Sequence, residues 1–159
     1  MNRTQRRPAA KSGDAGTICA AAAALASRGR SAEAIAGYRL ALALAPRFAK
    51  AHNNLASLLC EQGRFEEAIC HLKRAIDCAP ELAEPYNNLG NILKRKGMMA
   101  DAAQLYARAV ALNPAYAEAH NNLGTTLTEL GRTSGSIAAA RGTADELAPR
   151  AIDTPAYAI

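Results

Sequence analysis

The chain has 159 residues, half of them apolar, yet aromatics make up only 4% and Trp is absent. Alanine supplies about a quarter of the chain, which suits closely packed helices and argues against a β-sandwich or a β-barrel. The net charge is +5, but Arg3, Arg6, Arg7 and Lys11 supply four of those charges before the first acid, Asp14, so no basic face for nucleic acid is expected.

Residues 1–14 read as a disordered basic tail rich in Pro, Ser and Gly. Basic residues followed by Ile18–Ala26, with Ala24-Leu25-Ala26 before Ser27, faintly resemble a secretory signal. Gly13 and Asp14 interrupt that approach, and the same residues serve better as a helix. A cytoplasmic location is therefore expected, with secretion or a periplasmic location as the alternative. No apolar run approaches the ~20 residues that span a bilayer, so no membrane partner is expected.

The first unit, 15–48, carries Ile18, Ala21, Ala22 and Leu25 at helical spacing. Gly29 ends that helix, and a second helix with Ala34 and Ala41 runs to Pro46. The second unit, 49–82, repeats this with His52, Leu55, Ala56 and Leu59, then Gly63, then Ala68, Leu72 and Ala75, then Pro80. The third, 83–116, has Tyr86, Leu89, Gly90 and Leu93, then Gly97, then Ala102, Tyr106 and Ala109, then Pro114. Pro85 falls in the first turn of its helix, where a missing N–H costs little.

The fourth unit, 117–149, opens well with His120, Leu123, Gly124 and Leu127. After Gly131, the stretch Arg132-Thr133-Ser134-Gly135-Ser136 is a poor helix start. An irregular helix around Ile137–Leu147 is expected, then Pro149, 35 residues after Pro114, and an irregular tail at 150–159. Elsewhere the interval between equivalent positions is 34, as in Pro46, Pro80, Pro114 or Gly29, Gly63, Gly97, Gly131. Ala51-His52-Asn53-Asn54-Leu55-Ala56 even recurs as Ala119-His120-Asn121-Asn122-Leu123-Gly124.

Small residues at Ala56, Gly90 and Gly124, faced by Ala68 and Ala102, allow paired helices to approach closely. Cys19, Cys60, Cys70 and Cys78 form no Cys-x-x-Cys pair, and Cys70-His71 diverge by about 100° on a helix. No metal, no cofactor and no catalytic set are expected, so the chain reads as a non-enzyme. His52 and His120, one structural position seen twice, are expected to be packing or rim residues with no catalytic role. Lys94-Arg95-Lys96 read as a solvated helix end that complements the helix dipole.

The 34-residue helix–turn–helix with Leu-Gly/Ala, then Gly, Ala, Tyr/Leu, Ala and Pro resembles the tetratricopeptide repeat. Its Asn-Asn-Leu-Gly units are most similar to the repeat arm of O-GlcNAc transferases and their SPINDLY-like relatives. The resemblance implies an all-α solenoid, a right-handed superhelix of stacked antiparallel helix pairs. It also implies an inner face lined by the first helices, bearing Lys50, Asn53, Asn54, Asn87, Asn88, Asn91, Asn121 and Asn122. In transferase-like arms Asn54, Asn88 and Asn122 would form a ladder holding an extended peptide by its backbone, because a primary amide both donates and accepts. The alternative is repeat consensus with no ligand. Ala20 breaks the ladder in the first unit. A clamp for terminal carboxylates needs basic groups, and only Lys50 is available, while Glu84 and Glu118 have the wrong sign. The expected function is a scaffold binding a protein or peptide, or else the substrate-recruiting arm of a glycosyltransferase lacking its catalytic domain. The oligomeric state is left open.

Overall fold

The computed structural model describes residues 12–146, with side chains over 14–133. The expected tails lie mostly outside this range. Seven helices follow one another: α1 Ser12–Ser27, α2 Ser31–Leu44, α3 Ala49–Glu61, α4 Phe65–Cys78, α5 Ala83–Arg95, α6 Met99–Leu112 and α7 Ala117–Glu146. No strand occurs among the described residues. None of these helices is long and apolar enough to cross a membrane.

Three turns are built alike. Gly29, Gly63 and Gly97 have φ of 74°, 75° and 80°, the left-handed region that side chains disfavour. The residue after each glycine then donates its N–H five residues back: Arg30 to Leu25, Arg64 to Leu59 and Met98 to Leu93, at 2.9–3.0 Å. These bonds satisfy carbonyls that the helix end leaves open and reverse the chain. Each second helix thus lies antiparallel against its own first helix.

Burial follows the repeat. Leu55, Leu59, Leu72, Ile92, Tyr38 and Tyr106 are buried between helices, with Ala34, Ala68 and Ala102 at the close crossings. The backbones of α1, α3, α5 and α7 approach one another in succession, while those of α2, α4 and α6 stay apart, α2 and α4 meeting through the long side chains of Arg39 and Glu67. The first helices therefore form the inner layer of a curved stack and the second helices splay on its outer side. The architecture is an α-solenoid.

The fourth unit departs from expectation. Instead of turning at Gly131, α7 continues unbroken to Glu146. Gly131 does not take the left-handed conformation of the other three glycines. The hydroxyls of Thr126, Thr128 and Thr133 donate to Asn122, Gly124 and Leu130 carbonyls at 2.7–2.9 Å, bonds that stay within the helix. No second helix packs back on α7 among the described residues.

Two glycines at one repeat position make the contrast measurable. A Cβ on Gly90 would meet Tyr106 Cε1 at 2.7 Å, and that ring is fully buried. A Cβ on Gly124 would meet nothing within 4 Å. Gly90→Ala is therefore expected to destabilise, since overpacking costs about 1–3 kcal/mol. Gly124→Ala should stabilise by up to ~1 kcal/mol through helix propensity alone. Urea titration of the two variants checks the opposite signs.

Candidate functional site

From the second unit on, each first helix is tied to the turn before it by a ring. His52 Nε2 lies 2.9 Å from the Pro46 carbonyl, and His120 Nε2 lies 2.9 Å from that of Pro114. In the third unit the Tyr86 hydroxyl donates to the Pro80 carbonyl at 3.1 Å. One position thus makes one bond three times, with a different ring chemistry. His52 is buried in its packing role, whereas His120 is exposed. The sequence shows the recurrence of rings and prolines at fixed spacing, but the bond between them appears only in the fold.

His52 also meets His71 of α4, Nδ1 to Nδ1, at 2.8 Å. A carbonyl can only accept, so His52 Nε2 carries the proton toward Pro46 and its Nδ1 accepts from His71 Nδ1–H. The pair holds together when both rings are neutral. Burial pushes both rings below the usual imidazole range, and for His71 the neighbouring His52 adds to the shift. Arg74 also lowers both; Arg39 lowers His71, and Glu67 opposes that shift.

Lowered folded-state values mean that the unfolded chain binds protons first as pH falls. The stabilisation is complete above the ordinary histidine value and is lost as pH drops through and below ~6.5. The melting temperature should be flat above about pH 7.5 and fall between about pH 7 and 5. His71→Leu, which copies the third unit's Leu105, should flatten that fall, as thermal unfolding across the range would show.

The ladder asparagines stitch repeats together. Asn88 Nδ2 donates back to Asn53 Oδ1 at 2.9 Å and to Ser57 Oγ at 3.4 Å. Asn122 Nδ2 repeats this toward Asn87 Oδ1 at 3.0 Å and Asn91 Oδ1 at 3.1 Å. Both amide hydrogens of each side chain thus face a preceding repeat, leaving Oδ1 to accept from a ligand. Asn54 cannot copy the pattern, because Cys19 and Ala23 stand where Asn53 and Ser57 would be. Its Oδ1 accepts from Asn53 Nδ2 of its own helix at 3.4 Å instead. Replacing Asn54, Asn88 and Asn122 by Ala would therefore weaken the stack as well as any ligand site.

Asn87 requires a correction. It is 0% exposed, and its Nδ2 donates to Glu118 Oε1 at 2.9 Å and Tyr116 Oη at 3.2 Å. A residue with no exposed surface cannot touch a peptide. Asn121 is exposed, but it lines a hollow of about 520 Å³ with His120, Gly124, Thr125, Thr128, Glu129 and Arg132, apart from the ladder's own hollows.

The remaining candidates converge on the inner layer. Lys50, Asn53 and Asn54 line a hollow of about 200 Å³ with Leu82, Glu84 and Pro85. The next, about 160 Å³, is bounded by Ser57, Cys60, Phe65, Asn88, Asn91, Ile92 and Arg95. A third, about 410 Å³, shares Asn91 and Arg95 and adds Lys94, Met99, Tyr106 and Asn122. Asn91 Oδ1 accepts from Tyr106 Oη at 2.8 Å as well as from Asn122, so its amide hydrogens are left for a ligand. Burial, with Glu118 and Glu129 nearby, pushes the Tyr106 hydroxyl up to about 12, which keeps it a neutral donor.

The basic run after Ile92 is more engaged than a solvated end. Lys94 pairs with Glu129 at 3.1 Å, Lys96 pairs with Glu66, and the Arg95 guanidinium lies 4.6 Å above the Phe65 ring. Burial raises the thiols of Cys19 and Cys60, which disfavours thiolate chemistry there. All four cysteines are free. The described residues contain no cluster of His, Cys, Asp and Glu fit to hold a metal.

Two family models described as tetratricopeptide repeat match residues 47–115 and 87–151, together spanning 47–151 of the 159. The chain belongs to the tetratricopeptide-repeat family. Among solved structures, the Sgt2 TPR domain from Aspergillus fumigatus is similar with a TM-score of 0.72 and 21% identity, covering 96% of each chain. The first TPR of Spaghetti (RPAP3) bound to HSP90 peptide SRMEEVD gives 0.71 and 21%, covering 76% of this chain and 96% of that one. The Arabidopsis OM64 TPR domain gives 0.70 and 17%, covering 74% and 98%. No curated protein sequence matches the chain. At these identities the likeness shows the tetratricopeptide fold, and the narrower likeness to transferase arms is not supported.

Proposed function

We propose that this tetratricopeptide array is a non-catalytic scaffold whose inner face holds an extended polypeptide. The observation that carries this reading is the leftover hydrogen-bonding capacity of the ladder. Asn88 and Asn122 keep carbonyl acceptors, Asn91 keeps amide donors, and all three line hollows on one inner layer. A peptide backbone alternates donor and acceptor, so such a face can grip it with little regard to side chains. The similar RPAP3 domain, which binds an HSP90 peptide, supports a peptide as the kind of partner.

Charge argues for a different peptide. Glu84 lines the first hollow opposite Lys50, and Glu118 sits on the next repeat beside Asn87. An acidic carboxyl-terminal peptide such as SRMEEVD would meet Glu84 in the first hollow, while Lys94 and Arg95 in the next two are already engaged by Glu129 and the Phe65 ring, so a neutral or basic extended segment fits better.

The test needs a substitution that leaves the stack intact. Asn91→Asp keeps the Oδ1 acceptor used by Tyr106 and Asn122 and removes the donors while adding one carboxylate charge, so the comparison is made with uncharged array peptides. Peptides selected from an array of unrelated extended sequences would be titrated by fluorescence anisotropy, with SRMEEVD as comparator. The wild type should prefer array peptides to SRMEEVD. Asn91→Asp should lose about two- to ten-fold in affinity, one hydrogen bond of ~0.5–1.5 kcal/mol, without a lower melting temperature. Unchanged affinity in that variant, or no array peptide bound by the wild type, would rule the reading out.

A further inference from the structure

α7 carries the face that every other first helix presents to its own second helix. At the equivalent position Ala22 and Ala56 are buried, and Gly90 lies against Tyr106. Gly124 has nothing within 4 Å. Leu127, equivalent to Leu25, Leu59 and Leu93, is 52% exposed. The hollow of about 520 Å³ beside them runs from His120 to Arg132. This surface is shaped for a helix and has none.

The natural cover is in the chain. The half of α7 beyond Gly131 is about as long as α2, α4 and α6, which have 14 residues each. It also falls within a tetratricopeptide match that runs to residue 151. Yet α7 runs unbroken through Gly131, so this half does not fold back on its own bare face. Folding back would require breaking the helix and its hydrogen bonds at that glycine. A second copy needs no such break.

We infer that two copies of this chain associate by exchanging the carboxyl-terminal halves of α7. Each half lies on the partner's His120–Leu127 face as the missing second helix of the fourth repeat. The interface is isologous, as two-fold exchange of one element requires, and every helical hydrogen bond of α7 is kept. The exchange buries Leu127 and seats a helix over Gly124, where the absence of a side chain allows close approach.

Sedimentation equilibrium of the full chain over the micromolar range tests this. The wild type should sediment at twice 16.7 kDa. Leu127→Asp, placing a charge in the exchanged contact, should raise the dimer dissociation constant about ten-fold or more while circular dichroism stays helical. Gly131→Ala, which favours the unbroken helix, should leave the dimer as tight or tighter. A wild type that remains monomeric throughout overturns the inference. So does a dimer indifferent to Leu127→Asp, or one that Gly131→Ala dissolves. Loss of helicity in Leu127→Asp would move the decision to Leu127→Ser, which removes the apolar contact without a charge and must likewise weaken the dimer.

Discussion

The stack depends on how one repeat is fastened to the next. Within a repeat, helices are held by close crossing of small residues under a buried ring or leucine, and those contacts stay inside one unit. Between repeats, the fastenings are specific: a ring to a proline carbonyl, an asparagine to two groups of the preceding repeat, and surface pairs such as Arg39–Glu67 at 3.0 Å. A chain that contacts only its neighbours has no long-range core to rescue it, so these links set the spacing and curvature of the inner layer.

Under the function proposed above, the same asparagines would have two duties. Their hydrogens fix neighbouring first helices, and their remaining oxygens, with the amide hydrogens of Asn91, are the groups left over for the proposed peptide. A preorganised row of this kind loses little freedom on binding, which favours affinity. Stacking and recognition therefore cannot be mutated independently at Asn88 or Asn122. Asn91 is where the two separate, because its acceptor is used inward and its donors are not.

Much of the fold was legible in the sequence. The 34-residue interval, the helix pairs, the turn glycines and the small crossing residues all follow from local pattern, and in the first three units the structure places helices and turn glycines accordingly. The unbroken α7 was not legible, because a glycine only permits a left-handed turn. What drives the reversal is a second helix with a large residue to bury, as Tyr38, Leu72 and Tyr106 provide. One period after Tyr106 the sequence has Ala140. At the site, amide spacing pointed to the inner layer but could not show which atoms neighbouring repeats already use. Hence Asn87 reads as a surface residue and is buried, while the His52–His71 contact joins residues whose sequence gives no sign of pairing.

The claim that asparagines fasten repeats is tested most directly by a double-mutant cycle between Asn53 and Asn88, using Asn53→Ala, Asn88→Ala and the pair, with stability from urea unfolding. The account predicts that each single change destabilises and that the double costs less than their sum. The coupling should be about 0.5–1.5 kcal/mol, the worth of one hydrogen bond between the repeats. Strictly additive costs, or single variants as stable as the wild type, would contradict it.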